Sequence, residues 1–228
     1  MRRTGCLAIL GGEKSGKSAI GLALLKLLPL NAGQIVFDAI NLAGIHGDTL
    51  LRLRRRFAAV FPATLETLDP LMTVGDLVAA PLRAQRVFAR DEVAARVQET
   101  LKEVGLDDTW ASRRAASLMP EDRQRVAIAC ALVAEPDALL LDEPTDGLEP
   151  AAQARLIDLL RQIKKNHDLA CVLLTRDPAL AERIANEVLV LHRGEIVERG
   201  PTQSVFATPE HPYTDALVHA ARHRILGL

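Results

Sequence analysis

The sequence lacks the features that mark several classes of protein. Its formal net charge is −1, so there is no overall basic field to hold nucleic acid or an anionic membrane. No apolar run is long enough to span a bilayer, no secretory signal is recognisable, and no internal repeat is visible. Cysteines are few, and their wide spacing in apolar runs favours buried thiols in a reducing cytosol over a disulfide framework or a metal site: Cys6, Cys130 and Cys171. Any partner must therefore be recognised through local surfaces.

The sequence does have enough apolar material for one sizeable core. Of its 228 residues, 49% are hydrophobic, which predicts one domain with a subdomain. Runs typical of strands alternate with helical patterns, which predicts right-handed crossovers and a mainly parallel sheet. The predicted strands are residues 6–10, 34–37, 57–61, 138–141 and 170–174, with a hairpin-like pair at 188–197. The predicted helices are residues 15–28, 122–134, 151–165, 179–185 and one from about Tyr213, while residues 72–116 are helical without an intervening strand. The polar stretch that ends in the basic run 52–56 is assigned no element.

The strongest local signal is a glycine-rich loop between the first predicted strand and the first predicted helix. It fits G-x-x-x-x-G-K-[ST], in which glycines allow a tight turn and backbone N–H groups surround phosphate oxygens. Lys17 is expected to reach the β and γ phosphates of ATP, and Ser18 to ligate Mg²⁺. Lys14 stands where glycine is frequent, so its side chain either contacts phosphate or points to solvent. The predicted nucleotide-binding residues are Gly11, Gly12, Glu13, Lys14, Ser15, Gly16, Lys17, Ser18 and Ala19.

A second, acidic motif follows the predicted strand at residues 138–141. Asp142 and Glu143 come directly after a run of leucines, where an open parallel sheet presents its ligand-facing residues. Asp142 is expected to hold Mg²⁺ through water, and Glu143 to polarise the attacking water as a general base. Two solvated loop carboxylates are the alternative, which the presence of the phosphate loop disfavours.

These two motifs and the helical stretch between them resemble the ATP-binding cassette family from about Leu7 to Ala220. The tail is the most specific part: residues 194–200, Gly-Glu-Ile-Val-Glu-Arg-Gly, and 211–217, His-Pro-Tyr-Thr-Asp-Ala-Leu, resemble the oligopeptide and dipeptide importer ATPases. Residues 67–74, from Thr67, are similar to the segment after the Q-loop of peptide and nickel importers, and residues 142–149 to the Walker B strand end and D-loop.

The resemblance implies an α/β fold of the P-loop NTPase (RecA-like) type, with a mainly parallel sheet flanked by helices and an inserted α-helical subdomain. We expect one cassette domain over residues 1–228, with a core at 1–71 and 121–210, a helical subdomain at 72–120 and a helical tail at 211–228. In this family two cassettes sandwich two ATP molecules head to tail, each site joining one chain's phosphate loop to the other's signature loop. The resemblance thus implies a second ATPase subunit and membrane permeases as partners, and a peripheral place on the cytoplasmic face of the membrane without insertion into it.

The chain departs from the family at the signature loop. The family's Leu-Ser-Gly-Gly-Gln is replaced by Leu-Met-Pro-Glu-Asp at residues 118–122. The serine hydroxyl and both glycines are lost, Pro120 has no N–H, and Glu121 and Asp122 add charge that repels phosphate. Because proline and acids suit a first helical turn, we expect the helix to be kept and its contact with ATP to be lost.

Other departures touch the same chemistry. Pro62 stands at the Q-loop glutamine and has no amide to contact Mg²⁺. Arg176 replaces the switch histidine after Thr175; it either pairs with a γ-phosphate or is a surface arginine without a ligand, and it does not exchange protons near neutral pH. The family normally carries, ahead of the phosphate loop, an aromatic residue that stacks on adenine. In this sequence only ten residues precede Gly11 and none is aromatic. We therefore expect adenine to be held weakly, or by a partner or an absent segment.

These observations predict the ATP-binding subunit of a peptide- or nickel-type importer that pairs with a more complete cassette. Glu143 and Arg176 are the expected catalytic residues, and loss of several transition-state contacts predicts slow hydrolysis. The alternative is a non-hydrolysing regulatory module that uses ATP as structural glue or not at all, against which the retained Glu143 weighs. A cassette acting on DNA or a P-loop kinase would leave the importer-like tail unexplained.

Overall fold

The computed structural model describes residues 5–62, 68–85 and 88–226. Thr67, named above, lies outside the described residues. The chain divides into two compact units, the first containing Met1–Phe57 and Ala170–Leu228 and the second Ala58–Leu169. The strands are β1 (Cys6–Leu10), β2 (Val36–Phe37), β3 (Ile40–Asn41), β4 (Phe57–Val60), β5 (Ala138–Asp142), β6 (Ala170–Thr175), β7 (Glu187–His192) and β8 (Glu195–Pro201). The helices are α1 (Lys17–Leu24), α2 (Gly47–Arg56), α3 (Val74–Gln85), α4 (Arg90–Glu103), α5 (Pro120–Leu132), α6 (Pro150–Asn166), α7 (Pro178–Ile184), α8 (Thr202–Ala207) and α9 (Pro212–Leu226).

The first unit is built on neighbouring strands in the order β6-β1-β7-β8. β1 is parallel to both β6 and β7, with Leu10 opposite Thr175 on one side and Val190 on the other. β7 and β8 are antiparallel, and their register shifts between Val190 and Leu191. The predicted parallel strands and the terminal antiparallel pair are therefore confirmed, and β1 has the predicted bounds.

The loops and helices of the first unit differ more from the sequence prediction. α1 ends at Leu24 rather than at residue 28, and Lys26 beyond it adopts a φ of 53°, which no α-helix accommodates. β2 begins at Val36 rather than at residue 34, and it ends as predicted at Phe37, where Asp38 and Ala39, both with positive φ, form a tight turn to β3. α2 was not predicted at all. Its last turn is basic, which suits the negative end of the helix dipole.

In the second unit, β4 lies beside β5. β5 is buried along its whole length, as its leucine run predicts for a strand covered on both faces. The predicted helical stretch is confirmed as α3, α4 and two short 3₁₀ helices, Asp108–Ser112 and Ala115–Ser117. Apolar residues spaced three or four positions apart along α4 and at its end are all buried: Val93, Val97, Leu101 and Val104.

The described part of the chain contains no helix with the length and apolarity that crossing a membrane requires. Cys6 and Cys171 are buried and lie opposite each other on β1 and β6. Burial raises the pKa of the Cys130 thiol to about 12, so this side chain stays protonated and inert at neutral pH. Packing is the role that these positions support.

Candidate nucleotide-binding site

The predicted phosphate loop joins β1 to α1, and glycine is required at two of its positions. The Gly11 N–H donates to the Thr175 carbonyl at 3.1 Å and so continues the strand pairing into the loop. A Cβ on Gly11 would lie 2.4 Å from the Leu191 carbonyl oxygen, closer than any side chain tolerates. Gly16 has a φ of 105°, a conformation that side chains strongly disfavour. The loop is thus a tight turn that ends at the start of a helix.

Lys14 occupies the position where glycine is frequent, and its backbone has the glycine-like conformation. Its φ is 59°, which costs a non-glycine residue roughly 1–2 kcal/mol. Such strain is common at functional sites, where surrounding structure enforces it. Lys14 is exposed, so it leaves the inner surface of the turn open.

Lys17 extends its side chain back into the loop and is only 7% exposed. Its ammonium nitrogen lies 2.6 Å from the Gly11 carbonyl oxygen and 3.0 Å from that of Gly12. Ser18 and Ala19 follow in the first turn of α1, where backbone N–H groups have no acceptor within the helix and carry partial positive charge. A buried cation, a tight glycine-containing turn and a helix N-terminus together fit a phosphate group.

Residues from two later parts of the first unit also form hydrogen bonds with the loop. The Gly194 N–H, in the turn between β7 and β8, donates to the Ser15 carbonyl at 2.9 Å. The Gly12 N–H donates to the hydroxyl of Tyr213, the second described residue of α9, at 2.8 Å. The sequence singled out the segment around Tyr213 only as a family likeness and gave no sign of this contact.

Arg176 lies beside the phosphate loop, directly after β6. Its guanidinium Nη1 is 3.2 Å from a carboxylate oxygen of Glu13, and the two side chains are 47% and 81% exposed. An ion pair this exposed contributes less than about 1 kcal/mol. Asp177 caps α7 by accepting the Ala179 N–H at 3.0 Å, which fixes the backbone on the far side of Arg176.

Asp142 and Glu143 belong to the second unit, at the carboxyl end of β5, as predicted. Asp142 is only 5% exposed, so it is held in place by the packing around the strand. Glu143 has a φ of 45°, in the left-handed region that residues with a side chain rarely adopt. The chain therefore turns sharply at the residue that the sequence assigns to catalysis, as strained functional residues do.

A family model for the ABC transporter matches residues 1–146. The chain belongs to the ABC transporter family. Its structure is similar to that of the ATP-binding cassette MJ0796, solved as a dimer in a post-hydrolysis state bound to ADP and Pi, with a TM-score of 0.78 and 26% identity over 89% of this chain and 87% of that chain. It is also similar to cbiO1 of Clostridium perfringens, part of the ABC transporter complex cbiONQ, with a TM-score of 0.82 and 28% identity over 99% of this chain and 87% of that chain. The predicted P-loop NTPase fold is thereby confirmed.

Three relatives with similar sequences are named as import or transport ATP-binding proteins. The chain is 36% identical to the peptidoglycan transport ATP-binding protein YejF of Agrobacterium fabrum and 37% identical to the glutathione import ATP-binding protein GsiA of Pectobacterium atrosepticum. It is 34% identical to a protein of Brucella ovis named as a peptide import ATP-binding protein. Each match covers 94% of this chain, but only 39%, 34% and 68% of the respective relative. The resemblance to ATPases of peptide importers is confirmed.

The altered signature loop of this ABC transporter chain begins a regular helix. α5 starts at Pro120 and carries Glu121 and Asp122 in its first turn, so the predicted retention of the helix is confirmed. Glu121 accepts hydrogen bonds from Arg155 of α6 at 2.5 and 3.0 Å and from Arg125 at 3.0 Å. These bonds, that from Arg155 foremost, lower the pKa of Glu121 to about 2 against the opposing effect of burial. The carboxylate at this helix start is therefore charged and already paired within the chain.

Glu121→Gln is expected to lower the free energy of unfolding by about 1–2 kcal/mol at neutral pH, because both arginines lose a charged acceptor. The folded pKa of about 2 lies below the ordinary value of 4.5, so the stabilisation is complete above pH 4.5 and is lost as pH falls towards 2. Urea unfolding of wild type and variant should therefore converge as the buffer is taken from about pH 6 to about pH 3. Asp122→Asn in the same turn is the control, and a wild-type advantage independent of pH would contradict the assignment.

Proposed function

We propose that this chain is the ATP-binding subunit of an importer for peptides or similarly small oligomeric substrates. The observation that carries the proposal is the phosphate loop, with its buried Lys17, its required Gly11 and Gly16 and the helix start behind it. The named import relatives, which are similar over 94% of this chain, support the transport role. Nickel remains a further candidate cargo through the likeness of residues 67–74 described above.

Each site residue has a chemical role in this proposal. The backbone N–H groups of residues 13–19 bind the phosphates of ATP, Lys17 neutralises the β and γ phosphates, and the Ser18 hydroxyl and Asp142 carboxylate hold Mg²⁺, which prefers oxygen ligands. The ion would offset charge that develops on the transferring phosphoryl group. Glu143 accepts a proton from the attacking water. Arg176 leaves Glu13 and pairs with the γ-phosphate, whose oxygens match a guanidinium.

The proposal includes a second, more complete cassette as partner. In a head-to-tail pair, the site built on this chain's phosphate loop needs the partner's signature loop, while this chain's own signature loop serves the partner's nucleotide. Pro120 and the paired Glu121 make the latter a poor phosphate contact. Two sites of unequal activity follow, with slow hydrolysis overall. The assembled pair would couple to membrane permeases at the inner face of the cell membrane.

Titration calorimetry with Mg-ATP, followed by turnover measurements, tests the proposal. The isolated chain should bind Mg-ATP and hydrolyse it very slowly, and turnover should rise when a cassette with an intact signature loop is added. Binding without turnover under any pairing would favour the alternative of a non-hydrolysing regulatory module. Absence of Mg-ATP binding, alone or in the pair, would refute the proposal and leave only a regulatory module that does not use ATP.

A further inference from the structure

The hydroxyl of Tyr213 accepts a hydrogen bond from the second residue of the phosphate loop. The Gly12 N–H lies 2.8 Å from the Tyr213 oxygen, in a partly buried position. Tyr213 is the only tyrosine of the chain, and it comes from α9 near the other end of the sequence. The Tyr213 hydroxyl thus contacts the phosphate loop, although Tyr213 is not part of the G-x-x-x-x-G-K-[ST] motif.

The start of α9 is anchored so that the phenol is aimed at the loop. The Glu198 carboxylate on β8 accepts the N–H groups of Glu210 and His211 at 3.1 and 3.2 Å. The ring of Tyr213 lies against the imidazole of His192 at the end of β7, with 4.0 Å between ring centres. Residues of β7 and β8 therefore hold the start of α9 and the Tyr213 ring in place, so that the Tyr213 hydroxyl lies next to the Gly12 N–H.

Charge at Glu198 supports this anchoring. Burial disfavours its ionised form, but the neighbouring Thr214 hydroxyl and the hydrogen bonds from the two amides outweigh burial and keep the pKa of Glu198 below its ordinary value. The carboxylate is therefore charged at neutral pH, and charged acceptors form stronger hydrogen bonds than neutral ones.

Gly12 is held from within the loop, where its carbonyl also accepts the Ser15 N–H at 3.4 Å, and from outside the loop by Tyr213. Its carbonyl oxygen accepts from the Lys17 ammonium at 3.0 Å, and its N–H donates to Tyr213. In the proposed function Lys17 turns to the phosphates, and Gly12 then loses that bond. The bond to Tyr213 keeps this end of the loop in place. Glycine also suits the approach, because a Cβ on Gly12 would lie 3.1 Å from the phenol oxygen.

We propose that Tyr213 is a positioning residue of the phosphate loop, which holds the Gly12 amide so that the N–H groups that follow are arranged for phosphate. The inference rests on the proposed binding of Mg-ATP. It assigns to the tail segment a direct part in nucleotide affinity, and it does not require Tyr213 to touch the nucleotide.

Tyr213→Phe tests the inference, because it removes the hydroxyl and keeps the ring against His192. The Kd for Mg-ATP, measured by calorimetry on the full chain, is expected to rise roughly 3- to 10-fold, as loss of one partly buried hydrogen bond predicts. Thr208→Ala is the matched control, since it removes a hydroxyl that bonds the Ser204 carbonyl in the same unit. Its Kd should equal that of wild type. Equal Kd values for wild type and Tyr213→Phe would overturn the inference and leave the proposed function intact, whereas a wild type that does not bind overturns both.

A double-substitution cycle distinguishes positioning from a general loss of stability. Gly12→Ala should weaken binding in the wild-type background, because the added Cβ displaces the phenol oxygen. In the Tyr213→Phe background it should weaken binding clearly less, since the contact that it disturbs is already gone. Strictly additive effects on Kd would mean that the two residues do not act through their hydrogen bond, and would overturn the inference.

Discussion

Lys17→Met is expected to weaken Mg-ATP binding by roughly 100-fold or more. Methionine keeps an unbranched apolar stem of similar length and removes the ammonium that neutralises phosphate charge. Charge-assisted hydrogen bonds contribute about 1.5–3 kcal/mol each, and about 1.4 kcal/mol corresponds to a factor of ten in Kd. The Lys17 side chain is buried within the loop, 2.6 Å from the Gly11 carbonyl oxygen, so no other described lysine is placed to replace it there. Calorimetry on the isolated chain measures the change.

Lys14→Met is the matched control for this prediction. It removes the same charge from the same loop, and methionine accepts the φ of 59° no worse than lysine does. Because Lys14 is exposed, its loss should change the Kd by a few-fold at most, through screened attraction to the phosphates. Equal losses in the two variants would mean that the loop attracts ATP by net charge alone. That result would refute the specific role of Lys17.

Local sequence predicted those parts of the site that depend on neighbours in the chain. The loop from Gly11 to Ser18 follows from glycines and a helix start within a few residues, and the structure has a tight turn and a helix at these positions. β5 follows equally from a leucine run, and the two acids lie at its carboxyl end as predicted. A short apolar run bounded by polar residues has few alternatives to a buried strand.

No local sequence pattern predicted the contacts between residues that lie far apart in the chain. Tyr213 meets Gly12 across 201 positions, and Arg155 meets Glu121 across 34. Both depend on how helices pack in three dimensions, which no local periodicity encodes. α2 was missed for a different reason: it buries only Leu53, and its basic last turn resembles a solvated stretch. The contacts that residues distant in the chain make with the phosphate loop and with the start of α5 were therefore the least predictable.

The residues that replace the family's signature loop make bonds that stabilise the fold of this chain. Glu121 is bonded to Arg125 of its own helix and Arg155 of the next, and Arg125 also donates to the Val104 carbonyl at 2.8 Å. Where the family pattern has a phosphate contact, this chain has bonds that stabilise its own fold. A return to glycine at position 121 would remove them, and would also place a residue of low helix propensity in the first turn.

Glu143→Gln is expected to reduce ATP turnover at the site built on this chain by roughly 100-fold or more, while Mg-ATP binding is retained. The amide has nearly the shape of the carboxylate but accepts no proton, and a positioned general base contributes about 10²- to 10⁴-fold. Because the site needs the partner's signature loop, turnover is measured in the pair. The partner's own catalytic glutamate is replaced by glutamine, so that hydrolysis reports on this chain's site alone.

Asp158→Asn, on the exposed face of α6, makes the same chemical change away from the loop and should leave turnover unaltered. If Glu143→Gln retained full turnover, another group would have to accept the proton, and Arg176 is unsuited to that because its guanidinium stays protonated at any pH near neutral. Under the proposed function, proton transfer is therefore assigned to Glu143, and Arg176 is assigned only the stabilisation of phosphate charge. Substitutions of the two residues should therefore have different kinetic effects. Loss of Glu143 lowers kcat with little effect on KM, whereas Arg176→Ala raises KM as well.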